Sequence, residues 1–147
     1  MHRDVKPSNI MMDAQHKRIV LVDFGLCRRF CTTELCTDER YMTGVTGTYR
    51  YMAPEVFQKE QYDAKIDVYS GSVVVCFMLT GNVPFANIPA ASVIELVARV
   101  GLRPDLSSCK NKNLARLMIR AWDMNPKLRP HAHEMEAELQ ILHDDLV

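Results

Sequence analysis

One stretch constrains this chain more than any other. It opens with Asp63-Ala64-Lys65-Ile66-Asp67-Val68-Tyr69-Ser70 and runs through Val73-Val74-Val75 to Leu79-Thr80-Gly81. The three valines alone read as strand, because β-branched side chains suit a pleat. Length and punctuation favour a helix: Asp63 stands where an N-cap belongs, and Gly81 where a left-handed residue ends a helix. Apolar residues fall on every side of that helix, so it must be buried.

The rest of the chain supplies material to bury it. With 147 residues, 48% of them hydrophobic, one globular domain with a real core is expected. Leu114, Leu117, Met118, Ala121 and Trp122 follow helical periodicity, as do Met135, Leu139, Leu142 and Leu146. Ser92-Val93-Ile94-Glu95 has capping-box spacing, and Val93, Leu96, Val97 and Val100 then form a stripe ended by Gly101 and Pro104. These stripes are core faces and carry no chemistry. His131, His133 and His143 are expected on the surface. Near the start, Asn9-Ile10-Met11-Met12 and Arg18-Ile19-Val20-Leu21-Val22 flank Asp13-Ala14-Gln15-His16-Lys17, which reads as a β-hairpin with a solvated turn. The fold is therefore mainly α with a small hairpin.

Formal net charge is zero, so nothing favours nucleic acid or an anionic membrane surface as partner. No charged-then-apolar leader opens the chain, and Val73 to Leu79 is too short to span a bilayer. Five cysteines make an odd count with no secreted framework, which points to a reducing cytoplasmic or nuclear setting. Cys27, Cys31 and Cys36 cluster but lack the pairing of a zinc site and read as free thiols.

Chemistry concentrates at the start. His2-Arg3-Asp4-Val5-Lys6-Pro7-Ser8-Asn9 puts a carboxylate, an ammonium and an amide on one short segment, and Asp23-Phe24-Gly25 follows the hairpin. Folding the hairpin brings Asn9 and Asp23 together. A carboxylate to orient an attacking hydroxyl, a cation to offset charge and hard oxygens for Mg²⁺ are what phosphoryl transfer needs.

H-R-D-x-x-x-x-N, then D-F-G, then Ala53-Pro54-Glu55, in that order, resembles the eukaryotic protein kinases. The resemblance covers essentially the whole chain and implies a partial kinase domain over 1–147: the large, C-terminal lobe, with an activation segment at 23–55. It implies Asp4 as catalytic base, Lys6 as a phosphate contact, and Asn9 and Asp23 as Mg²⁺ ligands, with ATP as donor and a protein Ser/Thr hydroxyl as acceptor. Thr48 together with Lys6 resembles the serine/threonine type, and Thr43-Gly44-Val45-Thr46-Gly47-Thr48 resembles the tyrosine-kinase-like group. Asp67 matches the carboxylate that holds the catalytic-loop backbone. Trp122 to Pro130 is similar to the family's last motif, whose Arg129 pairs with Glu55. One departure stands out: Gly71 and Ser72 replace the large apolar residue and glycine usual after this serine.

These 147 residues contain no Gly-rich loop, no V-A-I-K lysine and no partner glutamate for it. Two readings therefore remain open: the large-lobe part of an ATP-dependent serine/threonine kinase, or an inactive kinase-lobe fragment that binds proteins. In the first, an upstream kinase or autophosphorylation would act on the segment between D-F-G and A-P-E, which is expected to be the least ordered. Its hydroxyls Thr43 and Thr46 are the leading phosphosites, with Arg3, Arg28 and Arg29 as phosphate partners. Mass spectrometry of the protein from its own cells is expected to find phosphate on one or both; stoichiometric phosphorylation elsewhere, with both bare, contradicts this.

Overall fold

A computed structural model describes residues 1–29 and 44–144. Among them are β1 (Ile10–Asp13) and β2 (Arg18–Leu21), followed by α1 (Pro54–Phe57), α2 (Lys65–Thr80), α3 (Ala90–Val100), α4 (Lys112–Ala121) and α5 (Ala132–Asp144). The chain is thus mainly helical with one antiparallel hairpin, paired Ile10↔Leu21 through Asp13↔Arg18. The Asp13 carboxylate closes the turn by accepting from the Gln15 and His16 amides and from the His16 ring. The expected contents of 30–43, including Thr43, Cys31 and Cys36, lie outside the described residues, as does Leu146.

α2 is the buried element its composition requires. Ile66, Val68, Tyr69, Ser70, Ser72, Val73, Val74 and Cys76 are all buried. It packs on α4, and α4 packs on α5. Only its last turn breaks the pattern, where Met78 and Leu79 reach the surface. Gly81 ends the helix in the left-handed region, its N–H donating to Phe77. The start differs slightly from expectation. The cap position is Ala64, and the Asp63 side chain instead accepts from the Lys65 amide at 2.8 Å.

Two sequence expectations fail at α3. The helix begins two residues before Ser92, behind Pro89, whose carbonyl accepts from the Ser92 and Val93 amides. Ser92 therefore sits inside the first turn and caps nothing, because Ala90 and Ala91 are good helix formers. Its buried face is Val93, Ile94, Val97 and Ala98, while Leu96 and Val100 are exposed. A 3.6-residue period accommodates either set, and contact with α1 selects the first. α4 and α5 follow their stripes: Leu117, Met118, Ala121, Trp122 and Met135 are buried, with Leu114, Leu139 and Leu142 packed against them. His131 and His133 are exposed and their rings stack.

Gly71 and Ser72 have different explanations. The Ser72 hydroxyl is fully buried and donates to the Tyr69 carbonyl at 2.6 Å, so the helix satisfies it internally. A Cβ on Gly71 would meet no atom within 4 Å. The glycine lines an apolar groove between α2 and α5 that Met1, Val68, Val75, Met135 and Leu139 also border.

The base of the fold is tied by a buried ion pair. Arg129 Nη1 and Nη2 donate to Glu55 Oε1 and Oε2 at 2.6 and 2.8 Å. Both residues are almost wholly buried, Glu55 at 3% and Arg129 at 2% exposure. Two further contacts hold the guanidinium: Nε donates to the Asp123 carbonyl at 2.9 Å and Nη1 to the Lys65 carbonyl at 3.4 Å. Lys65 Nζ then takes the Arg129 carbonyl at 2.8 Å, tying this corner to the start of α2.

Arg129→Met or Glu55→Ala should each destabilise the chain by about 3–5 kcal/mol, because either strands a buried charge. Chemical denaturation checks this, and a loss below about 1 kcal/mol would show the pair to be solvated. Gly71→Ala should stabilise by about 1 kcal/mol, since it removes glycine's helix cost without a clash. A fall in the denaturation midpoint would contradict the open space at this position.

Candidate active site

The His2–Asn9 segment is fixed from below. The Asp67 carboxylate, in the first turn of α2, accepts from the His2 amide at 2.7 Å and the Arg3 amide at 2.8 Å. Two amides on one carboxylate force the loop to bend tightly there, and Arg3 adopts a left-handed φ of 70°. Its guanidinium reaches across to the Leu26 carbonyl at 2.6 Å and the Tyr62 hydroxyl at 3.3 Å. Arg3, expected as a phosphate partner, thus already ties the residues after Asp23-Phe24-Gly25 to this loop. His2 is buried, with Nε2 at 3.0 Å from the Val22 carbonyl and its ring edge against Phe24.

Above that foundation Asp4, Lys6 and Thr48 form a closed triangle. Thr48 Oγ1 donates to Asp4 Oδ1 at 2.7 Å and accepts from Lys6 Nζ at 2.9 Å. Lys6 Nζ also stands 2.6 Å from Asp4 Oδ2. Asn9, ending a 3-10 turn at Pro7–Asn9, donates from Nδ2 to the Asp4 carbonyl at 2.9 Å and to Asp4 Oδ2 at 3.2 Å. Burial pushes the Asp4 carboxyl upward. The hydrogen bonds from Lys6, Thr48 and Asn9, with the Lys6 charge, outweigh it and hold the group below the usual carboxylate range.

The hairpin does bring Asn9 and Asp23 to one end, with the Val22 amide donating to the Asn9 carbonyl at 2.9 Å. Asp23 has a left-handed φ of 63°, and its Oδ1 accepts from the Gly25 amide at 3.3 Å. Asn9 Nδ2 is committed to Asp4, which leaves its Oδ1 as an acceptor, and Asp23 lies at the same end of the hairpin. Two hard oxygens suit Mg²⁺, which keeps waters and takes further oxygens from phosphates. Among the described residues no group of three or more His, Cys, Asp or Glu could hold a metal.

Thr46 is described and half-buried; Thr43 is not described. Four contributors escaped the sequence reading. Gly47 has φ 102°, and a Cβ there would stand 2.5 Å from the Arg3 carbonyl. Only glycine lets the Thr48 segment approach the loop so closely, a constraint signalled by the Gly44 and Gly47 pair. Ser70 donates to the Tyr51 carbonyl at 2.7 Å, Tyr62 receives Arg3, and Arg50 reaches the loop after α2. Nothing in their local sequence marks these three, because their partners are distant along the chain.

Comparison with known proteins agrees with this geometry. The model of the protein kinase domain matches residues 1–139. Serine/threonine-protein kinase STY17 of Arabidopsis thaliana is 36% identical over 92% of the chain, which spans 22% of that relative. Serine/threonine/tyrosine-protein kinase HT1 of the same plant is 34% identical over 95% of the chain, and 34% of its own length is covered. Serine/threonine-protein kinase TNNI3K of Rattus norvegicus is 35% identical over 95% of the chain, and 16% of its length is covered. The chain therefore corresponds to a fraction of each relative. From the motifs at 2–9, 23–25 and 53–55, the triangle of Asp4, Lys6 and Thr48, and these matches, the chain belongs to the protein kinase domain family, among relatives of the serine/threonine, tyrosine-kinase-like kind.

Proposed function

We propose that these 147 residues are the large lobe of a serine/threonine protein kinase and carry its catalytic loop, with the activation segment at 23–55. The observation that carries this reading is the triangle of Asp4, Lys6 and Thr48, joined by contacts of 2.6 to 2.9 Å across more than forty residues of sequence. An ionised carboxylate offers about four lone-pair positions. Thr48, Lys6 and Asn9 take three of them. The one left is suited to a single incoming hydroxyl. Asp4 would orient that serine or threonine hydroxyl and accept its proton as the new O–P bond forms and the bond between the γ-phosphorus and its bridging oxygen breaks, ADP being the leaving group. Its depressed proton affinity makes it a weak base beforehand, so orientation weighs more than deprotonation in its contribution. Lys6 would hold Asp4 in place and offset negative charge on the moving group. Asn9 Oδ1 and Asp23 would hold Mg²⁺. ATP with Mg²⁺, general to this family, supplies the γ-phosphoryl group when bound. Protein substrates and a cytoplasmic or nuclear location belong to the same reading.

A specific observation favours the second reading, an inactive lobe that binds protein. The hairpin presents apolar side chains on both of its faces, Met12 with Ile19 on one and Met11 with Val20 on the other, and Phe24 beyond it is 63% exposed. Apolar side chains exposed in this number suit contact with another protein surface. The two readings differ in what happens when the nucleotide-gripping elements are added.

Alone, the chain should transfer negligible phosphate from ATP, because positioning of the donor, worth about 7–11 kcal/mol of barrier, depends on elements it does not contain. Fused to a small lobe with a Gly-rich loop and lysine, it should phosphorylate a general acceptor protein on serine or threonine. Asp4→Asn or Asp23→Asn should lower that turnover by about a hundredfold or more. Turnover that survives Asp4→Asn would break the assignment of the base, and a silent fusion would favour the binding module.

A further inference from the structure

We propose that Arg50 is a positioning residue of this site: its guanidinium clamps the 47–52 segment to the loop between α2 and α3, and so sets where the Thr48 hydroxyl stands. The inference deepens the reading of Asp4, Lys6 and Thr48 and rests on it for its catalytic consequence, though not for the clamp itself.

Arg50 Nη1 donates to the Pro84 carbonyl at 2.7 Å and the Phe85 carbonyl at 2.6 Å, and Nη2 donates to the Ile88 carbonyl at 3.2 Å. Three carbonyl dipoles thus converge on one planar cation, whose rigid fork spreads its donors over two terminal nitrogens. The gripped loop is not free to follow. Phe85 has a φ of 57°, a conformation that a bulky side chain adopts only when its surroundings hold it. Phe85 and Ile88 pack against the core, and the Ile88 amide donates to the Phe85 carbonyl at 3.0 Å. The anchor is therefore rigid.

On the other side, Arg50 sits in the middle of the 3-10 turn Tyr49–Tyr51. The Tyr51 amide donates to the Thr48 carbonyl at 2.9 Å, and Ser70 on α2 donates to the Tyr51 carbonyl at 2.7 Å. The turn is held by Ser70 at its end and by Arg50 at its centre, and Thr48 is the residue it carries toward Asp4. Among the described residues, the hydrogen bonds of Arg50 go to the 84–88 loop and none to the 2–9 segment. Its influence on Asp4 and Lys6 must pass through Thr48. The 2.7 and 2.9 Å contacts of Thr48 Oγ1 leave little tolerance, since hydrogen bonds weaken steeply with misplacement.

Two measurements test this. In the 147-residue chain, NMR reads the Thr48 methyl resonance and the exchange of the Tyr51 and Met52 amides. Arg50→Ala should move the Thr48 resonance and speed those amides at least tenfold while amides within α2 are unchanged, and Arg50→Lys should restore part of both. In the fusion with a small lobe, Arg50→Ala should lower kcat at least tenfold with KM for ATP unchanged, and should add less than twofold in a Thr48→Ala background. An unmoved Thr48 resonance in Arg50→Ala, or losses that multiply with those of Thr48→Ala, would overturn the proposal. If Arg50→Ala does not fold, Arg50→Lys and Arg50→Gln are read the same way, and an unmoved Thr48 resonance in both overturns it. A wild-type fusion without turnover defeats the kinase reading, while the NMR result still decides the clamp.

Discussion

The Asp67 carboxylate is the contact on which the rest depends. It stands in the first turn of the buried helix α2 and holds two successive amides, His2 and Arg3. Each half of that arrangement explains the other. A carboxylate beside a buried helix needs donors, and the left-handed bend at Arg3 needs a holder. Once the bend is fixed, Asp4 points to Thr48 and Lys6, and the Arg3 side chain reaches Leu26 and Tyr62. The most hydrophobic element of the sequence thereby orients its most polar one.

A second buried charge holds the base. Glu55 and Arg129 lie 74 positions apart and meet through two parallel hydrogen bonds. The Tyr69 ring lies against two guanidiniums, with Arg129 Cζ 5.0 Å and Arg103 Cζ 5.4 Å from its centroid. Burial pushes the Tyr69 hydroxyl up to about 12, so the ring stays neutral between its two cations. The π-face is the available compensation for Arg103 Nη2, which is buried and has no hydrogen-bond partner among the described residues. Ion pair and stacked ring together fix the end of the Ala53-Pro54-Glu55 turn relative to α2, and hence the segment that carries Thr48.

Much of this was legible because it is written in local patterns. The helix over Lys65–Thr80, its stop at Gly81, the hairpin and the Asp4-to-Asn9 spacing each follow from a few adjacent residues. What could not be read depends on partners distant along the chain. At α3 two apolar faces compete, and only the neighbour α1 chooses Val93, Ile94 and Val97 over Leu96 and Val100. Gly47 could be seen as a glycine, but not as the residue whose missing Cβ lets Arg3 and Thr48 approach. Arg50 and Ser70 look like ordinary polar residues until the 84–88 loop and Tyr51 lie beside them. In the sequence Arg3 is a cation free to meet a phosphate, and its bond to the Leu26 carbonyl emerges only with the fold.

The central claim is that α2 builds the loop geometry within this chain alone. Hydrogen exchange at the His2 and Arg3 amides of the isolated chain tests it most directly. The account predicts that both exchange as slowly as the amides within α2, and that Asp67→Ala frees these two while α2 keeps its protection. Exchange at the rate of an unstructured chain in the wild type, with α2 protected, would contradict it.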